Sequence, residues 1–217
     1  MPKKLNVLEL FAGTRSIGKA FQRAGHNVTS YDWDDQFCPP CTKRDVYTIP
    51  LSELKQYDVI WASPDCTTYS LVSGGKHRHK DQNTGELVPK SEYAIYCDEN
   101  NTRLFSDLRE CARFGIVYFI ENPRAGMRSM PFVRDMPRYT VTYCQYGDMR
   151  QKPTDIWTNC FNTWFKEPCK AGEPCHVPAP RGSRTGTCGL SAVDRARIPD
   201  KLCDAIVAMA EKDFEFQ

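Results

Sequence analysis

The stretch LNVLELFAGTRSIGKAFQRAGHNVTSYDW, residues 5–33, decides the fold. Leu5 to Phe11 is an apolar run of strand length. Ala12-Gly13-Thr14 turns the chain, and Ser16 to Ala24 carries apolar residues at helical spacing until Gly25 ends it. Val28 to Asp32 is a second strand finishing on an acid. Strand, glycine turn, helix, strand and acid in that order form the front of a nucleotide-type cofactor site. Gly13 allows close approach of backbone to a ligand. Asp32 can accept hydrogen bonds from ribose hydroxyls, and Trp33 offers a flat face to an adenine ring. The reading predicts a Rossmann-like α/β protein with a mostly parallel sheet.

Working outward, Tyr57 to Ala62 is a further buried strand, and Ser63-Pro64-Asp65-Cys66 follows at its end. The carboxyl ends of strands in open α/β sheets are where ligands bind. A thiol held there by a proline turn suits a nucleophile, although a lone cysteine is more often core filling. Ile116 to Ile120 is another apolar strand, closing on Glu121-Asn122-Pro123. If the two strands are parallel neighbours, Cys66 and Glu121 share one pocket. Tyr139 to Cys144 and the run up to Asn159 read as an antiparallel hairpin at the sheet edge, and Asp200 to Lys212 as a last helix.

The chain has 217 residues, a net charge of +2 and 11 cysteines. That length suffices for one domain with a real core. No apolar run is long enough to span a bilayer, and the start lacks a signal-peptide core. The expectation is an intracellular, cytoplasmic or nucleoid-associated protein, neither secreted nor membrane-bound. In a reducing compartment such cysteines read as metal ligands, a catalytic thiol or buried packing. Cys38-Pro39-Pro40-Cys41 reads as a rigid loop.

Leu71 to Asn100 is polar and, around Lys76, His77, Arg78 and His79, basic. It is expected to be a mobile loop that closes over an anionic substrate such as a phosphate backbone, or else a solvated surface loop. Arg124, Arg128, Arg134 and Arg138 add a cationic surface. Residues 160–189 differ in composition, with proline, glycine and cysteine in place of aliphatic residues. Such a segment cannot build its own core, and zinc can supply the missing cross-links. Cys160, Cys169, Cys175 and His176 make a tetrahedral set by type, with Cys188 as a substitute for one of them; the bland alternative is an irregular loop with incidental thiols. Arg181 and Arg184 within it suit a nucleic-acid backbone. The expected organisation is a catalytic unit of residues 1–159 and 190–217 around this small insert.

Taken together, these motifs resemble the cytosine-5 DNA methyltransferases from Leu8 to about Thr158. Leu10-Phe11-Ala12-Gly13 is similar to the family's first cofactor motif, Ser63-Pro64-Asp65-Cys66 to its Pro-Cys motif, and Glu121-Asn122 to its Glu-Asn pair. The resemblance implies S-adenosylmethionine as cofactor, with contacts from Phe11, Gly13, Thr14, Asp32, Trp33, Asp45 and Pro64. It implies Cys66 as the thiolate that attacks C6 of a flipped cytosine, with Glu121 at N3 and Asn122 fixing its position. Lys76, Arg78, Arg124, Arg150, Lys152, Arg181 and Arg184 are the expected nucleic-acid contacts. The chain departs from the family at Ser63 and Pro123, and Arg150-Gln151-Lys152-Pro153-Thr154 stands where a Gln-x-Arg-x-Arg motif belongs. The large recognition domain is missing. The substrate expected is DNA, with RNA or a free cytosine nucleotide as alternatives. A non-catalytic nucleic-acid-binding module on the same scaffold is a further alternative.

Overall fold

The computed structural model describes residues 3–37, 40–178 and 190–215. The chain forms β1 (Asn6–Leu10), α1 (Ser16–Arg23), β2 (Asn27–Asp32), β3 (Thr42–Lys43), α2 (Leu51–Leu54), β4 (Val59–Ala62), α3 (Gly74–His77), β5 (Arg78–Lys80) and β6 (Leu87–Pro89). It continues through α4 (Glu92–Ala112), β7 (Val117–Pro123), β8 (Arg138–Thr142), β9 (Pro153–Thr158), α5 (Ala192–Ala196) and α6 (Asp200–Glu215). The main sheet runs β3-β2-β1-β4-β7-β9-β8. The pairs from β3 through β7 are parallel. β9 is antiparallel to both β7 and β8, so the hairpin forms one edge.

Alternation along the central strands builds two cores, because successive side chains leave a strand on opposite faces. Val59, Trp61, Val117 and Phe119 pack with α1 and α6. Ile60, Ala62, Tyr118 and Ile120 pack with α4 and the segment after β7. The sheet is therefore covered on both faces, as a parallel sheet requires. Helix α6 lies against α1 and buries Leu202, Ile206, Val207 and Met209, each contributing on the order of 1.5–3 kcal/mol. Among the described residues, no helix is long and apolar enough to cross a membrane.

Glu9 shows how tightly β1 and α1 are joined. Its side chain is buried, accepting from the Gly18 backbone N–H at 2.8 Å and from Ser30 Oγ at 2.7 Å. A Cβ on Gly18 would stand 2.3 Å from the Glu9 carboxylate, so any side chain there would displace Glu9. Burial raises the Glu9 carboxyl above its ordinary range, against those hydrogen bonds.

The basic stretch after Leu71 is not a bare loop. It folds as α3 followed by the antiparallel pair β5-β6. Arg78, expected on a phosphate, points inward instead. It is 4% exposed, with its Nη1 2.8 Å and its Nη2 2.6 Å from the two Asp98 carboxylate oxygens. It also donates to the Thr68 carbonyl at 2.9 Å and lies 4.2 Å from the Tyr69 ring centroid. One charge thus fastens β5 to α4 and to the turn after Cys66.

Candidate active site

The register of β4 and β7 sets the site. The strands are parallel and place Ala62 opposite Ile120, so the segment leaving β4 and the last residues of β7 lie side by side. The first carries Cys66; the second is Glu121 to Pro123, still paired with β9. Asn122 ties them together, its Nδ2 donating to the Pro64 carbonyl at 2.9 Å. Its Oδ1 is buried and has no hydrogen-bond partner among the described residues. Asp65 accepts from the Thr67 backbone N–H at 2.9 Å and from Tyr93 OH, while the Tyr69 N–H donates to the Cys66 carbonyl at 3.0 Å. The turn that carries the thiol is therefore held at both ends.

A cavity of about 800 Å³ opens over these strand ends. That volume is within the range of small-molecule and cofactor sites. Its walls include Phe11, Gly13 and Thr14 at one end, Pro64 and Cys66 in the middle, and Glu121 with Arg124, Arg150 and Lys152 beyond. Phe11, Gly13 and Arg15 all have left-handed φ, near 56°, 47° and 56°. For the two side-chain-bearing residues that conformation is costly, and such outliers gather at functional sites. The Gly13 N–H donates to one Asp32 carboxylate oxygen at 2.7 Å and the Asp34 N–H to the other at 2.9 Å. Asp32 thus shapes the glycine turn rather than lining the cavity.

Trp33 and Asp45 also stand outside the cavity walls. Trp33 is 67% exposed. Asp45 caps the short turn Val46–Thr48 by accepting from the Tyr47 N–H at 2.9 Å. Lys76 is exposed on α3, away from the cavity walls. Arg181 and Arg184 lie outside the described residues, as do Cys38 and Cys188. Of the other arginines, Arg128 is bound to Asp155 at 2.5 Å and Arg134 to Glu86 at 3.3 Å, which reduces the expected cationic surface.

Three groups not singled out from the sequence complete the site. Tyr143 is fully buried and donates its OH to Glu121 Oε1 at 3.2 Å. The carbonyls of Asp194 and Arg195 accept from Arg150 at 2.9 Å and Lys152 at 2.8 Å. Lys152 has φ 28°, and its Nζ lies 4.4 Å from the Tyr143 ring centroid. In sequence Tyr143 is indistinguishable from a strand residue, and a backbone carbonyl leaves no signature at all.

Burial and the carboxylates of Asp65 and Glu121 push the Cys66 thiol up to about 11, with Lys152 pulling the other way. Alkylation of Cys66 by iodoacetamide in the ligand-free protein is therefore expected to accelerate about tenfold per pH unit from pH 7 to 10, since the thiolate is the nucleophile. Asp65→Asn should speed it at pH 7.5 by roughly threefold or more, and Lys152→Met should slow it. Mass spectrometry of the Cys66 peptide reads the rate; a plateau reached by pH 8.5 contradicts the assignment.

The metal set also differs from the expected one. The donor atoms of Cys144, Cys169, Cys175 and His176 all lie within 4.8 Å of one another. Cys160 is not among them: it is 5% exposed in the α6 core, its thiol 3.7 Å from the Met209 carbonyl. Cys144 replaces it because β8 ends at Thr142 and the turn Tyr143–Tyr146 carries that thiol out toward the cysteine-rich segment.

The parallel sheet with its antiparallel edge and the cavity over the strand ends define a Rossmann-like α/β fold. The Entamoeba histolytica methyltransferase EhMeth has this fold, with a TM-score of 0.50 at 14% identity over 77% of this chain and 57% of that one. The Dnmt2 methyltransferase of S. pombe gives a TM-score of 0.49 at 13% identity, over 71% and 50%. The chain spans about half the length of these two structures. More particularly, the sequence is similar to that of a probable cytosine-5 methyltransferase. It is 28% identical over 216 residues, covering 90% of this chain and 95% of the other, to the "Probable DNA (cytosine-5)-methyltransferase" of Frog virus 3 (isolate Goorha). No family model matches the sequence.

Proposed function

We propose that the protein transfers a methyl group from S-adenosylmethionine to C5 of a cytosine in DNA, through a transient covalent bond from Cys66 to C6. The observation that carries this reading is the convergence of Cys66, Glu121 and Lys152 on one cavity whose far end is the Gly13 turn. The left-handed turn from Phe11 to Arg15 and the room beside it fit the cofactor, with Phe11, Gly13, Thr14 and Pro64 as its contacts. When bound, the cofactor supplies the methyl electrophile.

The residues divide the work by chemistry. Cytosine C5 is a poor nucleophile. Addition of the Cys66 thiolate to C6 forms a C–S bond and moves electron density to C5. Glu121 meets N3, where charge accumulates, and Tyr143 orients its carboxyl. Asn122 keeps the thiol turn beside Glu121. After transfer, loss of the C5 proton returns an electron pair to the ring and breaks the C–S bond, freeing the thiolate. Lys152 supplies positive charge for the thiolate, while Arg150 is paired with both carboxylate oxygens of Asp148 beside it. The raised thiol of the free protein is consistent with activation only when a base occupies the cavity.

A second reading keeps the mechanism and changes the substrate to RNA or a free cytosine nucleotide. Its support is the short path from β9 at Thr158 to α5 at Ala192, where a large recognition domain is missing. Labelled methyl transfer with DNA, RNA and dCMP as competing acceptors separates the readings. Labelling of DNA with little in the other pools is expected. Labelling of RNA or dCMP alone overturns the DNA assignment, and labelling of none overturns the activity.

A further inference from the structure

We propose that Cys144, Cys169, Cys175 and His176 bind one zinc ion, and that the ion fixes the wall of the cavity on the Lys152 side. The second half rests on the functional reading above; the first does not.

The spacing of the donors is that of a coordination shell. Cys175 Sγ lies 3.5 Å from Cys144 Sγ, and His176 Nδ1 lies 3.6 Å from Cys169 Sγ and 3.5 Å from Cys175 Sγ. Metal–sulfur bonds of ~2.3 Å and metal–nitrogen bonds of ~2.0 Å give tetrahedral edges of roughly 3.5–3.8 Å. Cys144 to Cys169, at 3.0 Å, is shorter, and all four donors lie within 4.8 Å of one another. Soft thiolates with one imidazole select zinc, and four protein ligands leave no open position for chemistry.

The surroundings are built for thiolates. Gln151 Nε2 approaches Cys169 Sγ at 3.3 Å, and Gln145 Nε2 approaches Cys175 Sγ at 3.7 Å. Amide donors aimed at sulfur are the outer contacts that metal-bound thiolates keep. Elsewhere the segment is tied down by hydrogen bonds from Phe161 and Asn162 to Asp213, from Lys166 to Tyr146 and from Cys169 to Thr142. Among its described residues, 161–178 contain no helix or strand, and Phe161, Trp164 and Val177 are exposed.

The cluster also touches the cavity directly. His176 and Val177 are part of its wall. Cys144 follows Tyr143, which holds Glu121, and Gln151 precedes Lys152. The Val177 N–H donates to the Met149 carbonyl at 2.8 Å, and the Tyr143 N–H to the Gln151 carbonyl at 2.8 Å. An ion gripping Cys144 and the 169–176 segment would clamp both ends of this loop.

The test uses the full chain, purified under reducing conditions. Elemental analysis is expected to find one zinc per chain, and protein stripped by chelator should take up added Zn²⁺ alone. Co²⁺ in its place should give the visible bands of a tetrahedral thiolate site. Cys144→Ser and Cys169→Ser should weaken zinc binding at least tenfold, whereas Cys160→Ser should retain the metal. Hydrogen exchange of peptides covering 143–153 should speed at least tenfold when zinc is removed, with β4 peptides unchanged. Failure of the wild-type chain to bind Zn²⁺, a Cys144–Cys169 disulfide in its place, or loss of metal in Cys160→Ser with retention in Cys144→Ser overturns the site. Unchanged exchange at 143–153 overturns the clamp. None of these readouts depends on methyl transfer, so an inactive protein that binds zinc counts against the activity and not against the site.

Discussion

Cys66→Ala is expected to abolish methyl transfer, by at least about 10⁴-fold in kcat, while cofactor affinity stays within about twofold. No other group on the thiol turn can form the bond to C6: Ser63 hydrogen-bonds to the Trp61 indole at 2.8 Å, and Thr67 is tied to Asp65 at 2.7 Å. DNA carrying 5-fluorocytosine gives an independent readout. Fluorine cannot leave C5 as a cation, so the C–S bond should persist and the wild-type protein should appear as a stable conjugate. Cys66→Ala should give none. Calorimetry with S-adenosylmethionine checks that the variant is folded and loaded. Transfer at the wild-type rate by Cys66→Ala would remove the thiol from the chemistry.

Arg78→Met is expected to act on stability, not on affinity for nucleic acid. It leaves Asp98, whose side chain is 17% exposed, facing an apolar tip, and frees the Thr68 carbonyl. Removing one partner of a buried ion pair costs about 3–5 kcal/mol, a loss of roughly 10 °C in Tm for a chain of this size. Urea denaturation reads the first quantity and calorimetry the second. The double variant Arg78→Met, Asp98→Leu should recover part of the loss, since the uncompensated charge is gone. Unchanged stability with weakened DNA binding would return Arg78 to the surface role its basic neighbours suggest.

These two residues mark where sequence was informative and where it was not. The β1–α1–β2 unit was legible because period and turn chemistry act locally: the apolar run, Gly13, Gly25 and Asp32 lie within one stretch. Cys66 and Glu121 were legible because each stands at a strand end, and parallel neighbouring strands bring such ends together. Arg78 was not, because a buried arginine among exposed basic residues depends on an acid twenty positions away in α4. Cys144 and Cys160 show the same limit. Each stands near the end of a strand of the edge hairpin, and only the turn after Thr142 sends one thiol toward the cysteine-rich segment while the other packs under α6. The folding of Leu71 to Pro89 into a short helix and a hairpin was hidden for a different reason: its strands span three residues each and carry little periodicity.

The two cations at the far end of the cavity both reach peptide oxygens, Arg150 that of Asp194 beside its ion pair with Asp148, and Lys152 that of Arg195. Main-chain acceptors do not change when the side chain does. Position 195 can therefore change its side chain without disturbing the clamp, whereas Asp194 also accepts from Ser191 Oγ at 2.7 Å at the start of α5. Deletion of a single residue there would withdraw both acceptors at once. At Arg195 the protein tolerates altered spelling but not altered length.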